Sequence, residues 1–166
     1  MNNVEELLAH NATFAASFGA GDLPAAPARR LAILTCMDAR LDPASALGLA
    51  PGDAHVIRNA GGIVTDDARR SLVVSQHLLG TNEIWLVHHT GCGMEGLDDA
   101  ALSDRLATET GTRPAFAFGG FADARADLSA GLARLRGDPL LASHVIRAFL
   151  YDVSSGRVEE VFDTAA

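Results

Sequence analysis

The chain has no basic excess. Its 13 lysines and arginines are outnumbered by 21 aspartates and glutamates, leaving a formal charge of −8 over 166 residues. With no basic stripe to neutralise phosphates, a nucleic-acid duplex or a polyphosphate is not an expected partner. Long apolar runs are missing too, and none approaches the length of a membrane-spanning helix. The first six residues, Met1 to Glu6, are polar and acidic and do not read as a secretory signal. Cysteine is scarce, with two in the whole chain. Where no export signal is read, two thiols fit metal binding or redox chemistry better than a structural disulfide, and the expected location is cytoplasmic. There is no internal repeat and no low-complexity segment. What is present is a composition 48% hydrophobic and 20% charged, which is that of a globular chain. The length fits a single domain, residues 1–166, able to bury a sizeable core.

Read in order, the chain opens with Val4, Leu7, Leu8, Ala12, Phe14, Ala15 and Phe18 at roughly helical spacing. The spacing predicts an amphipathic N-terminal helix within residues 1–20, followed by the proline-bearing linker Asp22 to Pro27. A helix set apart in this way needs a surface for its apolar side, either on its own domain or on a partner subunit. A first strand is expected over residues 31–36, and Asp42 and Pro43 suit the start of a short helix. Residues 54–58 read as a second strand, Asn59 to Gly62 as a glycine-bearing loop, and Thr65 or Asp66 as the cap of a helix stopping near Gly80. A third strand, residues 83–89, is apolar in the middle, as a strand covered on both faces should be. Helical patterns follow within residues 96–111 and over 121–136, with an aromatic loop around Phe116 and Phe118 between them. A strand over 145–153 and a hairpin back through Val158 to Phe162 close the chain. Alternating strands and helices ending in a hairpin predict an α/β fold: a three-layer domain with a central, mostly parallel sheet and an antiparallel C-terminal edge hairpin.

Both cysteines fall where expected strands end. The run Leu31-Ala32-Ile33-Leu34 leads into Thr35-Cys36-Met37-Asp38-Ala39-Arg40, and Ile84-Trp85-Leu86-Val87 leads into His88-His89-Thr90-Gly91-Cys92-Gly93. Carboxyl ends of strands are where open α/β sheets gather ligands. A lone buried thiol is usually inert filler. Two of them beside a His-x-x-Cys can instead form a zinc site that keeps its fourth position open. His88 and His89 point to opposite faces of a strand, so one of them shares a side with Cys92. His89 has the short-loop spacing of zinc sites, and His88 reads as a packing residue. His10, His55, His77 and His144 fit no ligand spacing. Asp38 and Arg40, two positions apart on one face of the strand end, read blandly as a surface ion pair worth about 0–1 kcal/mol. Beside a metal, Asp38 can accept a hydrogen bond from its water while Arg40 keeps Asp38 ionised and aimed.

Cys36-x-Asp38-x-Arg40, Arg58-Asn59-Ala60-Gly61-Gly62 and His89-Thr90-x-Cys92-Gly93-Met94, in this order, resemble the pattern of β-class carbonic anhydrases. The resemblance spans most of the chain. It implies Zn2+ held by Cys36, His89 and Cys92, with Asp38 and Arg40 as a catalytic dyad and the Gly61-Gly62 backbone lining the pocket. The implied reaction is reversible hydration of carbon dioxide to bicarbonate and a proton by zinc-bound hydroxide. The implied assembly is a homo-oligomer, a dimer or a dimer of dimers, whose N-terminal helix packs on the partner. Gly91 stands where many bacterial relatives carry aspartate. Hydrolysis of carbonyl sulfide or carbon disulfide at the same site is the alternative activity. A zinc-binding or redox-sensing module using Cys36 and Cys92 is the non-enzymatic alternative, against which Asp38 and Arg40 speak.

Overall fold

Helix ends are set by side chains placed where capping chemistry needs them. In the computed structural model, which describes residues 2–161, Asn2 and Glu5 form a reciprocal capping box at the start of α1, Asn3–Ala16. Asp42 caps α2, Pro43–Leu47, with proline in its first turn, and Thr65 caps α3, Asp66–Leu79, which Gly80 ends in the left-handed conformation at φ 74°. Asp98 caps α4, Asp99–Thr110, and Asp123 caps α5, Ala124–Arg136. The strands are β1, Leu31–Cys36; β2, Ala54–Asn59; β3, Glu83–His89; β4, Val145–Tyr151; and β5, Val158–Glu160.

They form one sheet in the order β2-β1-β3-β4-β5, with the first four parallel and β5 antiparallel on the edge. The expected α/β class, parallel sheet and terminal hairpin are all present. β1 pairs with β2 on one side and with β3 on the other, so the chain reverses its winding direction at β1. That reversal opens a crevice beyond the carboxyl ends of β1 and β3, because the connections leave in opposite directions there.

On one face of the sheet Ala32, Leu34, Ile84, Leu86, Ile146 and Ala148 pack with Ala68 and Leu72 of α3 and with Leu128, Leu132 and Leu135 of α5. On the other, Leu31, Ile33, Val87 and Phe149 meet Leu47 of α2 and the half-buried Trp85. None of α1 is buried, and Val4, Leu7, Leu8 and Phe14 are each more than 60% exposed. Among the described residues, no helix is long and apolar enough to cross a membrane.

Three expectations are corrected. α5 begins at Ala124, not at Phe121, because Asp123 takes the cap, while Phe121 is buried and bridged to Glu95. β4 stops at Tyr151, because the Asp152 carboxylate accepts hydrogen bonds from Ser154 and Ser155 and forms the turn itself. These donors pull its pKa down to about 2. β1 ends at Cys36, so Asp38 and Arg40 share a turn, not a strand face. Phe162, expected in the last strand, lies outside the described residues.

Candidate metal centre

Cys36 is the last residue of β1 and His89 the last of β3, strands held side by side in parallel register. One residue before the cysteine, the buried Thr35 hydroxyl donates to the Val87 carbonyl at 2.8 Å and ties the two strand tips together. Cys92 lies three residues past β3, beyond Gly91 at φ 62°, where the chain bends back over the crevice. The side chains converge. The Cys36 and Cys92 sulfurs are 3.9 Å apart, and the candidate ligand atoms of Cys36, His89 and Cys92 all lie within 4.8 Å of one another. All three residues are buried, His89 completely.

The imidazole is set up as a ligand. His89 Nδ1 donates to the Thr90 carbonyl at 3.1 Å, which leaves a lone pair on Nε2. That Nε2 is buried and has no hydrogen-bond partner. An orphaned buried polar atom costs about 1–3 kcal/mol, a penalty that a bound ion removes. Burial also pushes the His89 pKa down, keeping the ring neutral, as ligation requires. Two thiols and a neutral imidazole form a donor set that suits zinc, and the residues therefore fit the ion.

Burial pushes the Cys92 thiol pKa up, so metal must displace a proton from it on binding. A group whose folded pKa is raised keeps its proton until the pH climbs past that value. Metal uptake is therefore opposed by acid. Each displaced proton weakens apparent affinity about tenfold per pH unit, a slope expected in competition titrations with a chromophoric chelator between pH 6 and 8.

Asp38 and Arg40 form the rim. Arg40 donates twice to Asp38 Oδ1, from its backbone N and from Nε, both at 2.9 Å, and Nη2 donates to Oδ2 at 2.7 Å. Nη2 also donates to the Gly91 carbonyl at 2.9 Å, joining the Cys36 segment to the Cys92 segment. This bond uses backbone, so it is indifferent to the side chain at position 91, where the added Cβ of any residue meets nothing within 4 Å. The Arg40 guanidinium holds the Asp38 carboxyl well below the usual carboxylate range. Asp38 Oδ2 lies 3.7 Å from His89 Nε2, on the side where the ligand atoms meet.

Gly61 and Gly62 are buried in the 3₁₀ turn Ala60–Gly62. Gly62 has φ 69°, and a Cβ there would stand 2.8 Å from the Cys36 backbone nitrogen. Gly62→Ala is expected to destabilise the protein by about 2–4 kcal/mol, through overpacking against backbone and a left-handed φ. Urea unfolding of the metal-free protein checks this.

His88 faces away from the ligands, as strand alternation requires. Its Nε2 lies 2.9 Å from Asp127 Oδ2 of α5 and its ring stacks on Phe121 at 5.3 Å, while Nδ1 has no partner. The remaining described histidines with ring hydrogen bonds are structural: His55 meets Ser75 and the Ala25 carbonyl, His77 the Leu140 carbonyl and His144 the Asp138 carbonyl. Sequence reasoning missed Phe121, which packs into the cluster holding Cys36 and Cys92. Its position before a helical pattern masked it.

The family model described as Carbonic anhydrase matches residues 31–112, the stretch carrying every residue of this centre. The β-carbonic anhydrase 1 of Mycobacterium tuberculosis is 44% identical over 162 residues, covering 97% of this chain and 99% of the relative. The chain belongs to the β-carbonic anhydrase family. It is thus of the lyase class of enzymes. The carbonic anhydrase of Streptococcus mutans superposes with a TM-score of 0.92 at 41% identity, over 98% of this chain and 99% of the other. A carbon disulfide hydrolase of Acidithiobacillus thiooxidans is 36% identical over 151 residues, covering 78% of this chain and 76% of the relative.

Proposed function

We propose that this β-carbonic anhydrase family member hydrates carbon dioxide reversibly to bicarbonate and a proton, with zinc held by Cys36, His89 and Cys92. The observation that carries the reading is the ionised Asp38 carboxylate, fastened by Arg40 and lying 3.7 Å from the unpartnered His89 Nε2. A site built only to hold an ion needs no such pair.

Zinc, when bound, supplies a Lewis acid that brings the acidity of a water into the neutral range. The chain's own residues do the rest. Asp38 accepts a hydrogen bond from the attacking water and so aims its remaining lone pair at the carbon of carbon dioxide. Arg40 keeps Asp38 charged and stationary, since three hydrogen bonds and the anchor on Gly91 fix both partners. The Gly61-Gly62 backbone lines the pocket and lets Cys36 sit low in the crevice. Bicarbonate then leaves and the proton passes to solvent, with no covalent bond between enzyme and substrate. Stopped-flow hydration of carbon dioxide by the zinc-loaded protein, beside turnover of carbonyl sulfide and carbon disulfide, tests the reading. Faster turnover of a sulfur compound than of carbon dioxide would favour the second reading, which the Acidithiobacillus relative supports.

The exposed apolar side of α1 packs on a second copy of the single domain, giving a dimer or a dimer of dimers. Removing residues 1–20 is expected to lower the sedimentation mass to that of one chain, because this surface has no cover within its own subunit. A cytoplasmic location suits the reduced thiols.

A further inference from the structure

Arg58 has no role in the scheme above, although it opens one of the sequence motifs. It lies on β2 opposite Thr35, with Asn59 opposite Cys36. β1 ends at Cys36, so the next residues leave the sheet and lose its regular ladder. Three hydrogen bonds from positions 58 and 59 replace it. Arg58 Nε donates to the Cys36 carbonyl at 2.9 Å, and Arg58 Nη2 donates to the Asp38 carbonyl at 2.7 Å. Between them, the Met37 N–H donates to the Asn59 carbonyl at 2.9 Å. Residues 36, 37 and 38 are thus each held from β2, and one guanidinium spans the first and the last.

We propose that Arg58 is a positioning residue which fixes the Asp38 carboxylate relative to the Cys36 ligand by clamping their two carbonyls. The inference rests on the hydration reading for its kinetic consequence. Asp38 has its own partner in Arg40, but Arg40 is only two residues away and travels with the same turn. Their mutual bonds fix the pair internally and do not fix where it stands. The Gly91 anchor and the Arg58 clamp supply that, from β3 and β2 respectively. A planar fork is what the task requires, since donors on separate nitrogens reach separate carbonyls. A lysine ammonium at the same place is a single point donor and cannot hold both in this geometry.

The test uses the full-length, zinc-loaded protein with Arg58→Gln and Arg58→Lys, each made in the parent and in Asp38→Ala. Carbon dioxide hydration is measured in all, and zinc release to a chelator is timed in parallel. In the parent background Arg58→Gln is expected to lower kcat about 10- to 100-fold, as loss of a partner behind a metal site does. Arg58→Lys should fall between the two. In the Asp38→Ala background the same substitution should cost less than about threefold, because residues acting through one another are not additive. An equal loss in both backgrounds overturns the proposal, as does parental kcat in Arg58→Gln. Should Arg58→Gln fail to fold, Arg58→Lys decides, and parental kcat in it overturns the proposal. If the parent itself does not hydrate carbon dioxide, the hydration reading fails separately. Arg58 is then judged on zinc release, where faster loss from Arg58→Gln supports the clamp on Cys36 and unchanged loss overturns it.

Discussion

Cys36→Ser is expected to yield protein with little bound zinc and carbon dioxide hydration reduced at least about 100-fold, beyond the range seen when only an outer partner of a metal site is lost. The reason is the way the centre is assembled. Its ligands come from the tips of β1 and β3 and a turn past β3, and no other thiol is available to substitute. Serine keeps the shape of the side chain, and its hydroxyl does not deprotonate to a soft anionic donor at neutral pH. The loss should therefore be of metal, not of fold. Elemental analysis against protein concentration reads the first. The second is read by unfolding metal-free variant and metal-free parent together, where a difference within about 1 kcal/mol is expected. Full zinc occupancy in Cys36→Ser would remove this residue from the centre and with it the proposed reaction.

Asp38→Ala is expected to separate binding of the ion from its use. Zinc content should stay near one per chain while kcat drops about 100-fold, the cost of leaving a reacting group misaligned by an ångström or so. Alanine removes the carboxylate that Arg40 grips and leaves the Cys36, His89 and Cys92 donors in place. The pH behaviour follows from the sign of the shift. Arg40 depresses the Asp38 pKa, so the stability this pair contributes is present above the unfolded-state value near 3.9 and is lost as pH falls through the lower folded value. Between pH 5 and 9 the group does not titrate. Asp38→Ala should thus lower the rate plateau without moving the midpoint of the rise toward alkaline pH. A midpoint displaced by a full unit would mean that Asp38 takes part in that ionisation. Zinc lost in step with activity would make Asp38 a support of the metal instead.

Residue patterning alone made much of this protein legible. The spans of β1 and β3, the caps at Asp42 and Thr65 and the stop at Gly80 follow from local chemistry: apolar runs bounded by residues that satisfy free backbone groups. The metal donors were legible for a related reason. With two cysteines in the chain, each at the end of an apolar run and one three residues after a histidine, few other pairings were available. His88 and His89 could be told apart because neighbouring residues on a strand must face opposite ways, and the Asp127 contact of His88 fits that rule.

The tertiary structure decided what depends on strand order. Nothing along the chain says that β3 crosses to the far side of β1, yet that crossing creates the crevice and brings positions 36 and 89 within one coordination radius. Phe121 was misplaced because its burial comes from the Cys36 and Cys92 cluster, not from its helical neighbours. Arg58 was silent for the same reason, since its partners are carbonyls on an adjacent strand and carbonyls carry no sequence signature. The apolar side of α1 was visible as a pattern, and the fold adds that its own subunit leaves that side uncovered. Local propensity and donor chemistry are written in the residues themselves; proximity between distant segments arises only when the sheet closes around them.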